Sequence, residues 1–555
     1  MGIPSYFSYI VKNHGNIIKR LEKEREKTSS LFQISNLYLD CNSIVYDAVH
    51  GINFNQLEDS DVNTIIRVVI SKIDEYIQLI RPSQFVFIAF DGVAPVAKLE
   101  QQRERRYKST YQNEKMKQIY KNAKPDPWNT TAITPGTVFM SNLNTQIKQY
   151  YNNPGKYNVK SIILSASDHY GEGEHKLFDF IRRNPQYHTE DYKTVIYGLD
   201  ADLIMLCINH LPISSSIYLF RETPHFIKTI NSQLEPNETY LIDIPELARI
   251  ITLDMCNGQV SLQQENRKYD YIFLCFFLGN DFLPHFPAIN IRTGGVNKMV
   301  NAYKEMVQNG MVQNGVNNDF LTSGRTIYWS NVRKLVNILV PLEHTFIKTE
   351  TKLRDRREQS NVFSVDTPDA EFQKFEALPT HDRRLERSIN PFKVGWQERY
   401  YKLLFDVDVV NEELKERICL NYLQGLEWTM RYYTTGCVDW RWCYRYSYPP
   451  LLEDLVRYIP HEDGFSFFSN ANAAVKPNPV NELVQLCYVL PKASLSFLPQ
   501  PLYKLLLERH GNWYKNNCDF VWAYCRYFWE SHVKLPEIDI HILEDLVDDY
   551  RNSKK

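Results

Sequence analysis

The 555-residue sequence has ten cysteines but no CxxC pair and no CxxC…HxxxH spacing, which leaves neither a zinc framework nor a disulfide scaffold to expect. Reduced thiols in a cytosolic or nuclear protein are the plain reading. No uninterrupted apolar run reaches the ~18 residues of a membrane span. The opening MGIPSYFSYIVKNHGN lacks the charged-then-apolar pattern of a signal peptide, and Tyr6 stands where a myristoylation motif needs Ser or Thr. Neither secretion nor a membrane span is therefore expected, and the glycosylation-type triplets at Asn129 and Asn237 are read as chance. Excess charge of one sign is missing as well. With 64 Lys+Arg against 66 Asp+Glu the formal charge is -2, so contact with a polyanion must come from a local patch.

What is present is apolar and aromatic material, 43% and 13% of the chain, enough to fill the cores of two or more domains. From residue 36 short β-branched and aromatic runs alternate with helical stretches: LYLD ending at Asp40, FVFIAFD ending at Asp91, KSIILSAS before Gly171 and TVIYGLD ending at Asp200. Alternation of this kind predicts an α/β domain with a parallel sheet and helices on both faces, over residues 1–348. Residues 349–390 are strongly charged and lose apolar periodicity, which predicts a linker. Beyond it, 391–555 reads as a mainly helical, aromatic-rich second region. The pentapeptide MVQNG occurs twice in tandem, at 306–310 and 311–315, and is read as a surface insertion or helix extension without chemistry.

In an open parallel sheet, ligands bind outside the carboxyl ends of the strands, so acids closing several strands share one crevice. Asp40, Asp91 and Asp200 hold such positions. GEGEHK adds Glu172 and Glu174 at a strand-to-helix junction, GLDADL adds Asp202, and Asp281 follows the apolar run YIFLCFFL, read as a further strand. Seven carboxylates in one cleft repel each other unless cations lie between them. Oxygen-only ligation suits two Mg²⁺, with Mn²⁺ able to substitute, and such a pair serves phosphodiester hydrolysis. Any one of these acids taken singly reads equally well as a helix cap.

Directly after Asp91, Pro95 can open a helix on which Lys98, Gln102, Arg105 and Arg106 fall on one face. Guanidinium groups there can hold a terminal phosphate beside the acids. A solvated amphipathic helix is the plainer alternative, since Glu100 and Glu104 interleave; proximity to Asp91 decides against it.

The collinear motifs GIP, LYLDCNS, FDGVAPVAKLEQQRERR, ITPGTVFM, GEGEHK, YGLDADLIML and LGNDFLPH resemble the Xrn family of 5′→3′ exoribonucleases. WQERYYK, GCVDWRWCYRYSYPP, YVLPKASLSFLP and WESHVKLP resemble its second conserved region. The resemblance implies a PIN/flap-nuclease-like catalytic domain, the seven acids as metal ligands, and Lys98, Gln102, Arg105 and Arg106 as a pocket for a 5′-monophosphate. It also implies base stacking between a residue after the first acid and a tryptophan of the second region. Here Tyr46 stands where the family has histidine, and the partner is Trp440 or Trp442. Val96, and Asp168-His169-Tyr170 before GEGEHK, are further departures; none removes an acid. His175 is expected to be structural.

The expectation is therefore a compact, monomeric, cytoplasmic enzyme without a long C-terminal extension. It would processively degrade 5′-monophosphorylated single-stranded RNA, such as decapped mRNA, to nucleoside 5′-monophosphates. A flap-type DNA endonuclease and a non-catalytic RNA 5′-end binder are the competing readings. The first does not account for the phosphate face; the second predicts damaged acids, and all seven are intact.

Overall fold

A computed structural model describes residues 5–28, 33–52, 62–121, 128–222, 228, 232, 234–236, 238–258, 266–314, 319–360, 363, 366–469 and 478–553. The GIP motif, Asn237 and Gly315 lie outside them. Among the described residues no helix is long and apolar enough to cross a membrane.

Seven strands form one mixed sheet: β1 (Ile18–Arg20), β2 (Asn36–Asp40), β3 (Phe85–Ala89), β4 (Ser161–Ser165), β5 (Thr194–Tyr197), β6 (Ile217–Arg221) and β7 (Tyr240–Asp243). Their spatial order is β1-β7-β6-β5-β2-β3-β4. The five strands from β6 to β4 run parallel, and only the β7 and β1 edge is antiparallel. The parallel strands are almost continuously apolar because both faces are covered. Leu37, Leu39, Val86 and Ile88 belong to one core, while the alternating Tyr38 and Phe87 belong to another, as the two-residue period of a strand requires.

The chain leaves β2 toward β3 and β4, then returns past β2 to build β5 and β6. The strand order therefore reverses between β2 and β5, and that is where a crevice opens at the strands' carboxyl ends. Asp40 is the last residue of β2; Asp91 and Asp200 lie just past β3 and β5.

Two expectations need correction. YIFLCFFL is not a strand: most of it belongs to the helix Arg267–Phe276, buried throughout, so Asp281 follows a helix. A short apolar run buried on every side carries no period to separate the two cases. The second correction concerns 349–390. The helix Trp329–Ser360 runs through the expected boundary at 348, and helices Pro368–Glu376, Leu378–His381 and Arg384–Ile389 follow. Not all of their charges are solvated. Arg354 and Arg383 are buried and both pair with Glu386, at 2.7 Å. The stretch is part of the helical region.

That region continues through helices Trp396–Leu404, Glu412–Thr434, Leu452–Tyr458 and Glu482–Val489, with a small β8 (Asp519–Val521) and β9 (His532–Lys534) pair. Asn411 caps Glu412–Thr434 by accepting from Leu414 N–H, and Glu412 and Glu413 in the first turn complement the helix dipole. One apolar core runs from the sheet into these helices, joining Tyr38 and Phe178 to Trp329, Tyr400 and Trp428. The tandem MVQNG extends the helix Gly295–Asn314.

Candidate active site

GEGEHK brings the backbone against the acids. Gly171 takes a left-handed φ of 96°, and a Cβ at Gly173 would collide with Asp40 Oδ1, so only glycine fits at both places. Gly173 N–H donates to Asp91 Oδ1 at 2.6 Å, using one of the free amides at the start of helix Gly173–Arg183. Asn42 holds Asp91 from both sides: its side-chain amide donates to Oδ2, and its Oδ1 accepts from Asp91 N–H at 3.0 Å.

A cavity of about 280 Å³ collects these groups. Asp40, Asp91, Glu172, Glu174 and Asp200 line it together with Lys98, Gln102, Arg105 and Arg106 and with Tyr46. Asp202 and Asp281 stand outside this lining. Asp281 is joined to it by Lys98, whose ammonium reaches Glu172 at 2.6 Å and Asp281 at 2.7 Å.

Burial raises the Asp40 carboxyl, reinforced by Asp91 and Asp200. Glu174 is raised by burial and by Asp202, and Asp202 is pushed by burial up to about 7. Asp281 goes the other way: burial would raise it, but surrounding positive charge, from Lys98 first and also from Arg105, holds it well below the usual carboxylate range. Asp40 Oδ1, Glu174 Oε2 and Asp202 Oδ1 are buried with no hydrogen-bond partner. Buried polar atoms are almost always paired, so three orphaned carboxylate oxygens at one crevice, all hard donors, fit divalent cations. Among the described residues no three acids already converge on one cation position; Lys98 supplies the compensating charge here.

On the basic face, Arg106 donates to Thr134 Oγ1 at 2.6 Å, and its other terminal nitrogen is buried without a partner. Burial lowers its pKa to about 10, which leaves it fully charged at neutral pH.

The helical region contributes directly. Tyr432, from helix Glu412–Thr434, donates to Glu172 Oε1 at 2.7 Å and stacks on His175 with centroids 3.7 Å apart. Gln485 accepts from Ala94 N–H at 3.1 Å, and the Trp440 carbonyl accepts from Val96 N–H at 2.9 Å. Sequence reasoning missed Asn42, Tyr432 and Gln485. Only Asn42 carried a signal, its place two residues after Asp40.

The two tryptophans separate. Trp442 is buried against Trp428, with centroids 5.2 Å apart and planes at 25°. Trp440 meets the exposed Tyr170 edge-on at 5.6 Å, two residues before Glu172. Neither lines the cavity with Tyr46.

A carboxylate crevice at the switch point of a parallel sheet, faced by a cationic helix, defines a nuclease of the phosphodiester-cleaving kind. Comparison with known proteins makes this specific. The family described as XRN 5′-3′ exonuclease N-terminus matches residues 1–223, and the Xrn1 helical domain matches 262–386 and 380–553. The chain belongs to the Xrn family of 5′→3′ exoribonucleases. It is 25% identical to the 5′-3′ exoribonuclease 2 homolog of Drosophila melanogaster, over 97% of this chain and 70% of that protein. The same identity holds for 5′-3′ exoribonuclease 2 of Gallus gallus, over 97% and 69%. To 5′-3′ exoribonuclease 1 of Saccharomyces cerevisiae it is 26% identical, over 92% and 40%.

Proposed function

We propose that this exoribonuclease removes nucleotides one at a time, as nucleoside 5′-monophosphates, from single-stranded RNA carrying a 5′-monophosphate. The observation that carries the reading is the single cavity shared by five of the acids and by Lys98, Gln102, Arg105 and Arg106. Mg²⁺ or Mn²⁺ ions held by Asp40, Asp91, Glu172, Glu174, Asp200, Asp202 and Asp281 would supply an activated water and neutralise charge on the scissile phosphate. The chain's own groups then divide the remaining work.

Arg105 and Arg106 offer forked donors to a terminal phosphate, and Gln102 adds a neutral one. A monophosphate fits between that face and the acids; a cap or triphosphate adds bulk and charge where the wall stands. Tyr46 offers a ring face to the first base. Tyr432 and Asn42 fix Glu172 and Asp91, so the carboxylates do not have to reorganise as charge develops. Contacts of Gln485, Trp440 and Tyr432 with the catalytic side support a blind-ended pocket, which a free end enters and a duplex or continuous strand does not.

The test uses purified protein with Mg²⁺ and end-labelled RNA bearing a 5′-monophosphate, triphosphate or hydroxyl, beside a DNA flap. Selective decay of the monophosphate RNA is expected. Equal decay of all ends, flap cutting, or no cutting would each refute the reading. Asp200→Ala abolishes cleavage, whereas Arg105→Ala mainly erodes end selectivity.

A further inference from the structure

A second cavity, of about 170 Å³, lies behind the first, with Leu278, Ile291 and Trp529 among its apolar walls. Arg105 lines both cavities. Asp281 lines the second and is tied by Lys98 to Glu172 of the first. The two spaces therefore share Arg105 as a common wall and are linked through Lys98.

The second cavity has its own unsatisfied polar groups. Gln101 Oε1, Asn280 Nδ2 and His285 Nε2 are buried with no hydrogen-bond partner, and all three residues line it. Burial lowers His285 to about 4, so its ring is neutral at physiological pH. Unpaired buried groups are rare, and three around one void describe a ligand whose edge mixes donors and acceptors. A nucleobase edge has that character. The space suits one base against the Trp529 wall, and Trp529, Lys108 and Arg292 are partly exposed, so the cavity reaches solvent.

Turnover supplies the need for such a space. When RNA fills the entrance, each cut leaves a mononucleotide between the acids and the advancing strand, and the next nucleotide cannot enter until it leaves. We propose that the second cavity receives the nucleoside 5′-monophosphate product, its base against Gln101, Asn280 and His285 and its phosphate handed across by Arg105. This inference rests on the function proposed above.

The probe is adenosine 5′-monophosphate, titrated into the full chain with and without saturating 5′-monophosphorylated RNA made nuclease-resistant at its first linkages. Nucleotide binding is expected to persist with RNA in place. Ile291→Trp, which fills the cavity, should weaken nucleotide binding by about tenfold and slow multiple-turnover decay, leaving single-turnover cleavage within about twofold, because release and not chemistry is impaired. Trp529→Ala, which removes a wall instead of filling the space, should weaken nucleotide binding similarly and serves if Ile291→Trp does not fold. Displacement of the nucleotide by RNA one for one, or unchanged nucleotide affinity in a folded variant, would overturn the proposal. Wild-type protein that cleaves no RNA overturns the preceding function instead; normal cleavage without an RNA-tolerant nucleotide site overturns this inference alone.

Discussion

Trp442 stacks on Trp428 inside a core that also holds Tyr422 and Leu283, while Trp440 faces the exposed Tyr170 beside GEGEHK. Although the two sit in one WRW tripeptide, their loss should be felt to different degrees. Trp442→Ala leaves a large void and is expected to cost about 3–5 kcal/mol of unfolding free energy, read by chemical denaturation. Trp440→Ala removes a ring that is as little exposed but lies outside that core, and should cost clearly less in the same measurement. Equal effects of both on stability would refute the assignment. The places of Asp40, Asp91 and Asp200 were legible in the sequence because a carboxylate ending a β-branched run has a position in a parallel sheet before any packing is known. The residues that hold them were less so. Tyr432 lies 260 residues from the Glu172 it supports, and nothing local to either marks the pair. The different surroundings of Trp440 and Trp442 were also not local, since they depend on where Trp428 and Tyr170 lie.

At the scale of elements, the parallel sheet followed from alternation, but the helix Trp329–Ser360 did not. A charged helix reads as solvated only if its partners are unknown, and those of Arg354 come from a turn of chain some thirty residues later. The same helix carries a second buried ionisable group. Glu343 accepts from Leu452 N–H at 2.9 Å, pinning the helix to the start of Leu452–Tyr458. Burial raises its pKa from 4.5 to about 8, against the lowering effect of that hydrogen bond. A carboxyl with a folded pKa above its unfolded value favours folding while protonated. Its contribution is therefore complete below about 4.5 and is lost as pH rises toward about 8. Glu343→Gln keeps an acceptor without the charge. It should flatten that part of the stability-versus-pH curve and unfold at higher denaturant than wild type near pH 8. A curve unchanged by the substitution would show that Glu343 is ionised in the fold.

For the whole molecule, a crevice of mutually repelling carboxylates should gain stability from divalent cations. Removing divalent ions with EDTA should abolish cleavage and lower the melting temperature; Mg²⁺ should restore both, because an ion bound only by the folded state stabilises it in proportion to its saturation. Calorimetry with and without Mg²⁺ checks this, and an Asp40→Asn, Glu174→Gln variant should melt at the same temperature in both conditions. The crevice also depends on chain far beyond the sheet. Ala94 and Val96, around the start of the helix Val96–Ile119 that carries Lys98 and Arg105, donate to Gln485 and Trp440; Glu172 is held by Tyr432; and the core against Phe178 continues to Trp428. A fragment ending at residue 348 would cut the helix Trp329–Ser360 and expose that shared core to water. It should therefore fail to fold as a soluble unit, and adding residues 349–555 in trans should restore solubility and cleavage together. Had 349–390 been a linker, the fragment would be soluble and proteases would cut the intact protein there first. With Arg354, Arg383 and Glu386 buried, limited proteolysis is expected to spare the helix Arg384–Ile389 until the whole molecule unfolds.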